Sequence, residues 1–140
     1  MPTLILYATK SGASKECADL LGASLMDCTI CDVTACPPDL ARYDTIIVGS
    51  GVRMGKLYKP ARNFILDHQE LLLAKSIAFY LCNAYENTTP KAIEKSIPRE
   101  LREHAACIEA LGGKPPFASV KNQDWIRTDR VRALVQAIAK

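Results

Sequence analysis

Long apolar runs are absent from this 140-residue chain, and none reaches the roughly 18 residues that a membrane-spanning helix requires. Runs of like charge are absent too: 18 Lys and Arg against 15 Asp and Glu leave a net charge of +3, too small to indicate a nucleic-acid partner. The N-terminus, MPTLILYATK, lacks the basic leader and the small-residue cleavage site of a secretory signal peptide. We therefore expect a cytoplasmic protein, and the length suits a single domain over residues 1–140.

The six cysteines do not indicate a metal or redox site, and we expect them to be mostly buried, free thiols. Cys28 and Cys31 match C-x-x-C, but a thioredoxin-type pair sits at a helix N-terminus, where the dipole lowers the pKa of a thiol. This pair falls in a predicted strand, on which residues three apart face opposite sides. A zinc site needs two further ligands, and His68 and His104 are distant in the sequence. We interpret the pair as structural.

Apolar segments of strand length alternate with helix-like segments along the chain. The predicted strands are 3–8, 28–33, 44–50 and 76–82, and a fifth strand with a turn is predicted over 107–113. The predicted helical connections are 14–25, 37–43, 59–73, 91–105 with a break at Pro98, and 123–140. Strict alternation predicts an α/β fold with a parallel sheet that is covered by helices on both faces. Glycine-punctuated or polar loops are predicted at 51–58, 83–90 and 114–122.

The loop after the first strand is a candidate anion site. Ligands bind at the carboxyl ends of the strands in an open parallel sheet, so the loops after the first, third and fourth strands must be considered together. Thr9, Ser11 and Ser14 supply hydroxyls around Gly12, and Lys10 adds a positive charge. Unpaired N–H groups at the start of the next helix attract an anion, which favours a phosphate site. The alternative is that Ser11 or Ser14 only caps the helix.

Common nucleotide-binding motifs are absent. The nearest approach to a P-loop, SGVRMGKL over residues 50–57, lacks the first glycine and has Leu57 where magnesium binding needs Ser or Thr. The stretch GSGVRM over 49–54 ends in methionine and fails the dinucleotide pattern G-x-G-x-x-G. ATP hydrolysis and NAD binding are therefore not expected as primary functions.

Residues 9–14, TKSGAS, fit the pattern T-x-[ST]-G-x-[ST], and in this respect the chain resembles the flavodoxin family. The stretch DTIIVGSGVRMGKLYKPARNFILDHQELL over 44–72 resembles the subgroup that includes the menaquinone-dependent protoporphyrinogen oxidases. The resemblance implies a flavodoxin-like three-layer α/β/α sandwich, with a five-stranded parallel sheet in the order 2-1-3-4-5. It also implies FMN as the cofactor.

The same resemblance implies which residues bind FMN. The phosphate is expected to be bound by Thr9, Lys10, Ser11, Gly12, Ala13 and Ser14. One side of the flavin ring is expected to meet Ser50, Gly51, Val52, Arg53, Met54 and Gly55. The other side is expected to meet Cys82, Asn83, Ala84 and Tyr85. Tyr85 is the first candidate for stacking on the ring and Tyr58 the second. Arg53 either favours the anionic reduced flavin or is a solvated loop arginine.

The function expected first is an FMN-binding redox protein that transfers electrons through the flavin, with no catalytic side chain and no metal. Its partner is either a redox protein or a small-molecule or quinone acceptor. The alternative is a flavin-dependent oxidoreductase of the protoporphyrinogen oxidase or dehydrogenase type. A third hypothesis is a cofactor-free flavodoxin-like binding module such as a response-regulator receiver. Receivers need carboxylates after the first and third strands, and residues 9–14 and 50–55 contain none.

Overall fold

The computed structural model describes residues 2–10, 12–35, 39–83, 85–113 and 125–138. The strands are β1 (Thr3–Ala8), β2 (Cys28–Asp32), β3 (Thr45–Arg53), β4 (Lys56–Leu57), β5 (Ser76–Cys82) and β6 (Cys107–Ala110). The α-helices are α1 (Ala13–Ala23), α2 (Lys59–Asp67), α3 (Gln69–Leu73), α4 (Thr89–Ser96), α5 (Arg99–His104) and α6 (Thr128–Ile138). Two 3₁₀ turns occupy Leu40–Arg42 and Glu86–Thr88.

Five of the described strands form a parallel sheet in the order β2-β1-β3-β5-β6. This confirms the predicted order 2-1-3-4-5, since β5 and β6 are the fourth and fifth predicted strands. The central strands are apolar on both faces, which a sheet covered on both sides requires. Leu6 and Val48 pack on the side of α2 to α5, whereas Ile5 and Ile47 pack on the side of α1 and α6. The three-layer α/β/α arrangement follows from these two cores.

The segment predicted as a loop over 51–58 contains most of a β-hairpin, so that prediction was wrong. Strand β3 continues to Arg53, and β4 pairs with it antiparallel, with Val52 opposite Leu57. Two residues, Met54 and Gly55, make the turn at φ 54° and 75°. Positive φ at both central residues is the type I′ geometry that matches the twist of a hairpin. The large apolar residues of β3 end at Val48, so the sequence pattern placed the end of this strand too early.

Met54 is strained in this turn, because a side chain in the left-handed region costs about 1 kcal/mol that glycine or asparagine largely avoids. We expect Met54→Asn to raise the free energy of unfolding by about 1 kcal/mol, measured by urea denaturation. The control Met54→Leu keeps an exposed apolar side chain in the same strained backbone and should change little. Equal stability of the Asn and Leu variants would contradict the assigned strain.

The helix predicted over 59–73 is divided into α2 and α3 at His68, whose φ of −124° and ψ of 26° are not helical. The His68 ring stacks on Phe64 with 4.4 Å between ring centres, and its Nδ1 lies 2.9 Å from Phe64 O. The predicted break at Pro98 is confirmed, because α4 ends at Ser96 and α5 begins at Arg99.

The closing helix begins later than predicted. Residues 123, 124, 139 and 140 lie outside the described part of the chain, as does the predicted loop 114–122. Trp125 and Ile126 were predicted to be helical, but Ile126 is buried in an isolated bridge with Gly112 and α6 starts at Thr128. The bridge keeps residues 125 and 126 beside the end of β6 and out of the helix. Such a long-range contact cannot be predicted from the helical periodicity of the sequence. No described helix has the length and apolarity needed to cross a membrane.

The C-x-x-C cysteines face opposite sides of β2, as predicted: Cys28 packs with the α1 side and Cys31 with the α2 side. Burial raises the pKa of the Cys28 thiol, and the nearby Asp27 carboxylate raises it further, which disfavours a reactive thiolate. Of the described cysteines only Cys17 and Cys82 are buried, so the expectation of mostly buried thiols holds only in part. Cys36 lies outside the described residues.

Candidate functional site

The strand register brings the three predicted loops together at the carboxyl edge of the sheet. Ala8 at the end of β1 pairs with Ser50, and Gly51 pairs with Cys82 at the end of β5. The segments after β1, within β3–β4 and after β5 therefore start side by side. This is where an open parallel sheet binds ligands.

The first of these segments, between β1 and α1, has the backbone geometry of an anion site. Gly12 is the N-cap of α1 at φ 89°, and its N–H donates to Thr9 Oγ1 at 2.8 Å. The first helical hydrogen bond runs from Glu16 N–H to Gly12 O at 3.0 Å. The N–H groups of residues 13 to 15 consequently have no intrahelical acceptor. A Cβ built on Gly12 would meet no atom of the described residues within 4 Å, so there is open space beside the N-cap of α1.

Ser14 supplies a buried hydroxyl at this site. Only 1% of the residue is exposed, and its Oγ has no hydrogen-bond partner among the residues the structure describes. Burying an unpartnered hydroxyl costs roughly 1 to 3 kcal/mol, so such a group is typical of a site completed by a ligand. The alternative that Ser14 caps α1 is wrong, because α1 has Gly12 as its N-cap and no side-chain cap. Ser11 lies outside the described residues.

A tyrosine beneath the first segment fixes its position. The Tyr80 hydroxyl on β5 donates to the Ser14 carbonyl at 2.7 Å, so α1 is tied to the centre of the sheet. The Tyr80 ring passes over Gly49 on β3, where a Cβ would lie 1.8 Å from Tyr80 Cζ. Sequence reasoning missed Tyr80, because the signal is a tyrosine and a glycine paired across two strands and only the register reveals it.

Burial, with smaller effects from neighbouring acidic groups, holds the pKa of Tyr80 well above its ordinary value of 10.0. The folded state therefore keeps this phenol neutral while the unfolded chain ionises, so this contribution to stability is complete below pH 10 and is lost as pH rises further. We expect Tyr80→Phe to cost about 1 kcal/mol at pH 7 through loss of the Ser14 hydrogen bond. The variant should then lose less stability above pH 10 than the parent chain, by up to about 1.4 kcal/mol per pH unit.

Urea denaturation between pH 7 and 11 measures both effects of Tyr80→Phe. Tyr85→Phe is the matched control, because Tyr85 is 59% exposed. The free energy of unfolding of the Tyr85→Phe variant should match that of the parent chain over this pH range. Parallel pH profiles for the Tyr80→Phe variant and the parent chain would contradict the assigned role of the buried phenol.

The second segment, from Ser50 to Tyr58, places an aromatic ring against the first. Tyr58 N–H donates to Ser50 Oγ at 3.0 Å, and its ring fills the space in front of Gly51, where a Cβ would lie 2.5 Å from Cζ. Lys10 Nζ from the first segment lies 5.3 Å from the centre of the Tyr58 ring. Burial raises the pKa of Tyr58, with a smaller contribution from Cys82, while Arg53 lowers it. Tyr58 therefore lies among all three segments.

The third segment, after β5, is held by its own asparagine. Asn83 is buried, and its Nδ2 lies 2.9 Å from Tyr85 O and 2.8 Å from Thr88 Oγ1. Its Oδ1 accepts the Tyr85 N–H at 3.0 Å, so the Asn83 side chain shapes the turn from within. Tyr85 presents its side chain to solvent, and Cys82 Sγ lies 3.5 Å from Cys17 Sγ of α1. Ala84 lies outside the described residues.

The structure thus brings most of the predicted site residues to one edge. Thr9, Lys10, Gly12, Ala13 and Ser14 lie at the first segment, and Ser50, Gly51, Val52, Arg53, Met54 and Gly55 form the end of β3 and the hairpin turn. Cys82, Asn83 and Tyr85 lie at the third. Their contact with a flavin stays a prediction. Tyr58 interacts with Ser50 and lies beside Lys10 of the first segment, whereas the Tyr85 side chain is exposed. The sequence alone ranked Tyr85 ahead of Tyr58 as the residue that stacks on the flavin.

Comparison with known proteins agrees with this architecture. The family model described as "Flavodoxin domain" matches residues 4–117. The protoporphyrinogen IX dehydrogenase (quinone) of Escherichia coli strain K12 is 31% identical over 59% of this chain. That match spans 49% of the E. coli protein, so the chain covers about half the length of the curated relatives.

Solved structures share the fold at low sequence identity. A flavoprotein from Lactobacillus acidophilus in complex with FMN matches with a TM-score of 0.64 and 16% identity, covering 78% of this chain and 92% of that one. Oxidised flavodoxin 2 from Bacillus cereus matches with a TM-score of 0.60 and 22% identity, covering 99% of this chain and 98% of that one. These findings confirm the predicted fold and resemblance: the chain belongs to the flavodoxin-domain family.

Proposed function

We propose that the protein binds FMN at the carboxyl edge of its sheet and transfers electrons through it. The observation that carries this is the start of α1, where backbone N–H groups without an intrahelical acceptor and a buried Ser14 hydroxyl without a partner among the described residues lie next to Gly12, whose Cβ position is open. A helix N-terminus of this kind suits a phosphate. The predicted function and cofactor agree with the family and with the FMN complex among the structural neighbours.

Different groups of the chain bind the phosphate and the ring of FMN. The N–H groups of residues 13 to 15 and the Ser14 hydroxyl donate to the phosphate, and Lys10 supplies a positive charge. Ser50 to Gly55 line one side of the flavin ring, and Cys82, Asn83 and Tyr85 line the other. Tyr58, fixed by Ser50 and Lys10, is the best-positioned aromatic side chain at the junction. Bound FMN supplies the redox chemistry by accepting and releasing one or two electrons, so no catalytic side chain is required.

The absorption spectrum of the purified protein tests this proposal. We expect a yellow protein, or a colourless one that takes up added FMN with stoichiometry near one, and mass spectrometry should identify the released cofactor as FMN. Riboflavin, which lacks the phosphate, should bind more weakly. A protein that takes up neither flavin would contradict the proposal and favour the cofactor-free binding module.

A redox protein needs an electron donor and an acceptor. We propose that one of these is either a partner protein or a small molecule such as a quinone, which the quinone named for the E. coli relative supports. The cytoplasmic location and the single-domain organisation expected from the sequence stay predictions.

A second candidate function is oxidation of protoporphyrinogen with a quinone as acceptor. It is favoured by the 31% identity with the E. coli dehydrogenase, although the match spans 49% of that protein. Anaerobic incubation of the FMN-loaded protein with protoporphyrinogen and a menaquinone analogue tests it through the fluorescence of the oxidised porphyrin. Absence of turnover by a fully FMN-loaded sample would exclude this second function and leave the first intact.

A further inference from the structure

Two cysteines that are far apart in the sequence meet between α1 and the end of β5. Cys17 lies within α1, and Cys82 is the last residue of β5. The Cys82 thiol donates to Cys17 Sγ with 3.5 Å between the two sulfurs, although the residues are 65 positions apart. The sulfurs of a disulfide are about 2 Å apart, so a closure of about 1.5 Å, which side-chain rotation can supply, joins them.

The two thiols differ in their access to solvent. Cys17 has no exposed surface, whereas Cys82 is 6% exposed at the carboxyl edge of the sheet, where it pairs with Gly51. Hydrogen peroxide is scarcely larger than water, so a small opening admits it and excludes bulkier oxidants. One thiol is thus within reach of a small oxidant and a second thiol lies directly behind it. This is the arrangement of an attacking and a resolving cysteine.

The positions of the other described cysteines keep their thiols apart from one another. Cys28 and Cys31 face opposite sides of β2, and Cys107 lies on β6, three strands away from β2. Burial raises the pKa of the Cys28 and Cys107 thiols, and a nearby carboxylate raises each further, which reduces the reactive thiolate. Oxidation of the described thiols is therefore directed to Cys17 and Cys82.

We propose that hydrogen peroxide converts Cys17 and Cys82 into a reversible disulfide, with Cys82 as the attacking thiol and Cys17 as the resolving thiol. Cys82 gives its proton to solvent and attacks one oxygen of the peroxide. The O–O bond breaks, an OH group stays on Cys82 as sulfenic acid, and the hydroxide that leaves takes up a proton to form water.

The second step forms the disulfide. Cys17 attacks the sulfenic sulfur, so the S–S bond forms and the S–O bond breaks, and the OH group leaves as water with the proton of Cys17. Two thiols are oxidised, and one peroxide is reduced to two waters. The reaction needs no bound FMN, although Cys82 is also among the residues proposed to line the flavin ring.

Peptide mapping of the peroxide-treated parent chain tests the proposal. After the remaining thiols are alkylated, combined digestion by trypsin and an Asp-specific protease places Cys17 on the peptide 16–18 and Cys82 on 76–91, apart from the other cysteines. We expect these two peptides to be joined, and dithiothreitol should separate them. Retention of both thiols after peroxide treatment, or a disulfide that joins other cysteines in their place, would overturn the proposal.

Serine variants identify the attacking thiol. Cys17→Ser removes the resolving thiol, so Cys82 should gain oxygen, seen by mass spectrometry as sulfenic or sulfinic acid. In Cys82→Ser we expect Cys17 to react at least tenfold more slowly than Cys82 does in Cys17→Ser. Cys107→Ser is the matched control and should form the disulfide at the rate of the parent chain. Equal rates of oxidation of Cys17 and Cys82 in the two single variants would contradict the assigned order.

Urea denaturation shows whether the disulfide fits the folded protein. A bond between residues 65 positions apart restricts the unfolded chain, so the denaturation midpoint should rise after oxidation and return after dithiothreitol. Peroxide-treated Cys17→Ser should show no rise. A lower midpoint for the oxidised parent chain would mean that the fold cannot accommodate the bond, and would overturn the proposal.

The peptide mapping is carried out on the protein with and without added FMN, and FMN loading is read separately from the absorption spectrum. If the chain takes up no FMN but forms the disulfide, only the proposed function fails. If FMN binds and neither sample forms the disulfide, only the thiol proposal fails. The two failures are therefore distinguishable.

Discussion

Replacing Gly12 with aspartate is expected to weaken FMN binding by roughly a thousandfold or more. The Gly12 Cβ position faces open space at the start of α1, so the new carboxylate would occupy the region proposed for the phosphate. Two unit charges 4 Å apart repel by about 4 kcal/mol at an effective dielectric constant near 20, and about 1.4 kcal/mol corresponds to tenfold in affinity. Titration of the FMN-free chain with FMN, followed by quenching of flavin fluorescence, measures the change.

Asparagine at the same position separates charge from shape. Gly12→Asn has nearly the same volume as Gly12→Asp, and asparagine tolerates the left-handed backbone that Gly12 adopts at φ 89°. The Asn variant should therefore retain much more affinity for FMN than the Asp variant. Riboflavin provides a second control, because the Asp substitution should weaken its binding far less. Equal affinities of the Asn and Asp variants for FMN would contradict a phosphate at Gly12.

Local sequence patterns were sufficient to predict the sheet, and they also single out the first segment of the candidate site, whose role stays a prediction. Strands such as β1 are apolar on both faces and end abruptly at polar loops, so their number and parallel arrangement could be predicted. The segment 9–14 is contiguous in the sequence, and the structure places Gly12 at the N-cap of α1 and Ser14 in its first turn. The backbone at Gly12 and the buried Ser14 hydroxyl agree with that prediction.

Features that depend on tertiary pairing were not predictable in the same way. The stretch Gly49–Gly51 looks like the start of a loop because it lacks large side chains, yet it is strand. Its residues are small because two tyrosine rings lie where their side chains would be: Tyr80 over Gly49 and Tyr58 over Gly51. Those rings come from a neighbouring strand and from beyond a hairpin, so only the register and the turn reveal the contact. The same limit applies to the position of Tyr58, whereas the ranking of Tyr85 above Tyr58 for stacking on the flavin stays a prediction.

We expect Gly49→Ala to destabilise the protein by at least about 3 kcal/mol, at the upper end of overpacking effects. Its Cβ would lie 1.8 Å from Tyr80 Cζ and 2.1 Å from Cε2, and the Tyr80 ring is fully buried and held by its hydrogen bond to Ser14. The ring is fully buried and β3 is paired with a strand on each side, so neither can shift without disturbing its neighbours. Urea denaturation measures the free energy of unfolding, and the Ala variant should also lose FMN affinity, because α1 is tied to Tyr80.

Gly22→Ala is the matched control, since it adds the same methyl group in a different setting. Its Cβ would clash only with the end of the flexible Ile30 side chain, with Cys28 Sγ at an ordinary contact distance of 3.8 Å, and alanine is favoured over glycine within a helix by about 1 kcal/mol. We therefore expect Gly22→Ala to be neutral or stabilising. Tyr80→Leu removes the ring atoms that the Gly49 Cβ would strike, so adding Gly49→Ala to that variant should cost less than about 1 kcal/mol. If Gly49→Ala costs as much in the Tyr80→Leu variant as in the parent chain, the ring contact does not explain why β3 needs glycine there.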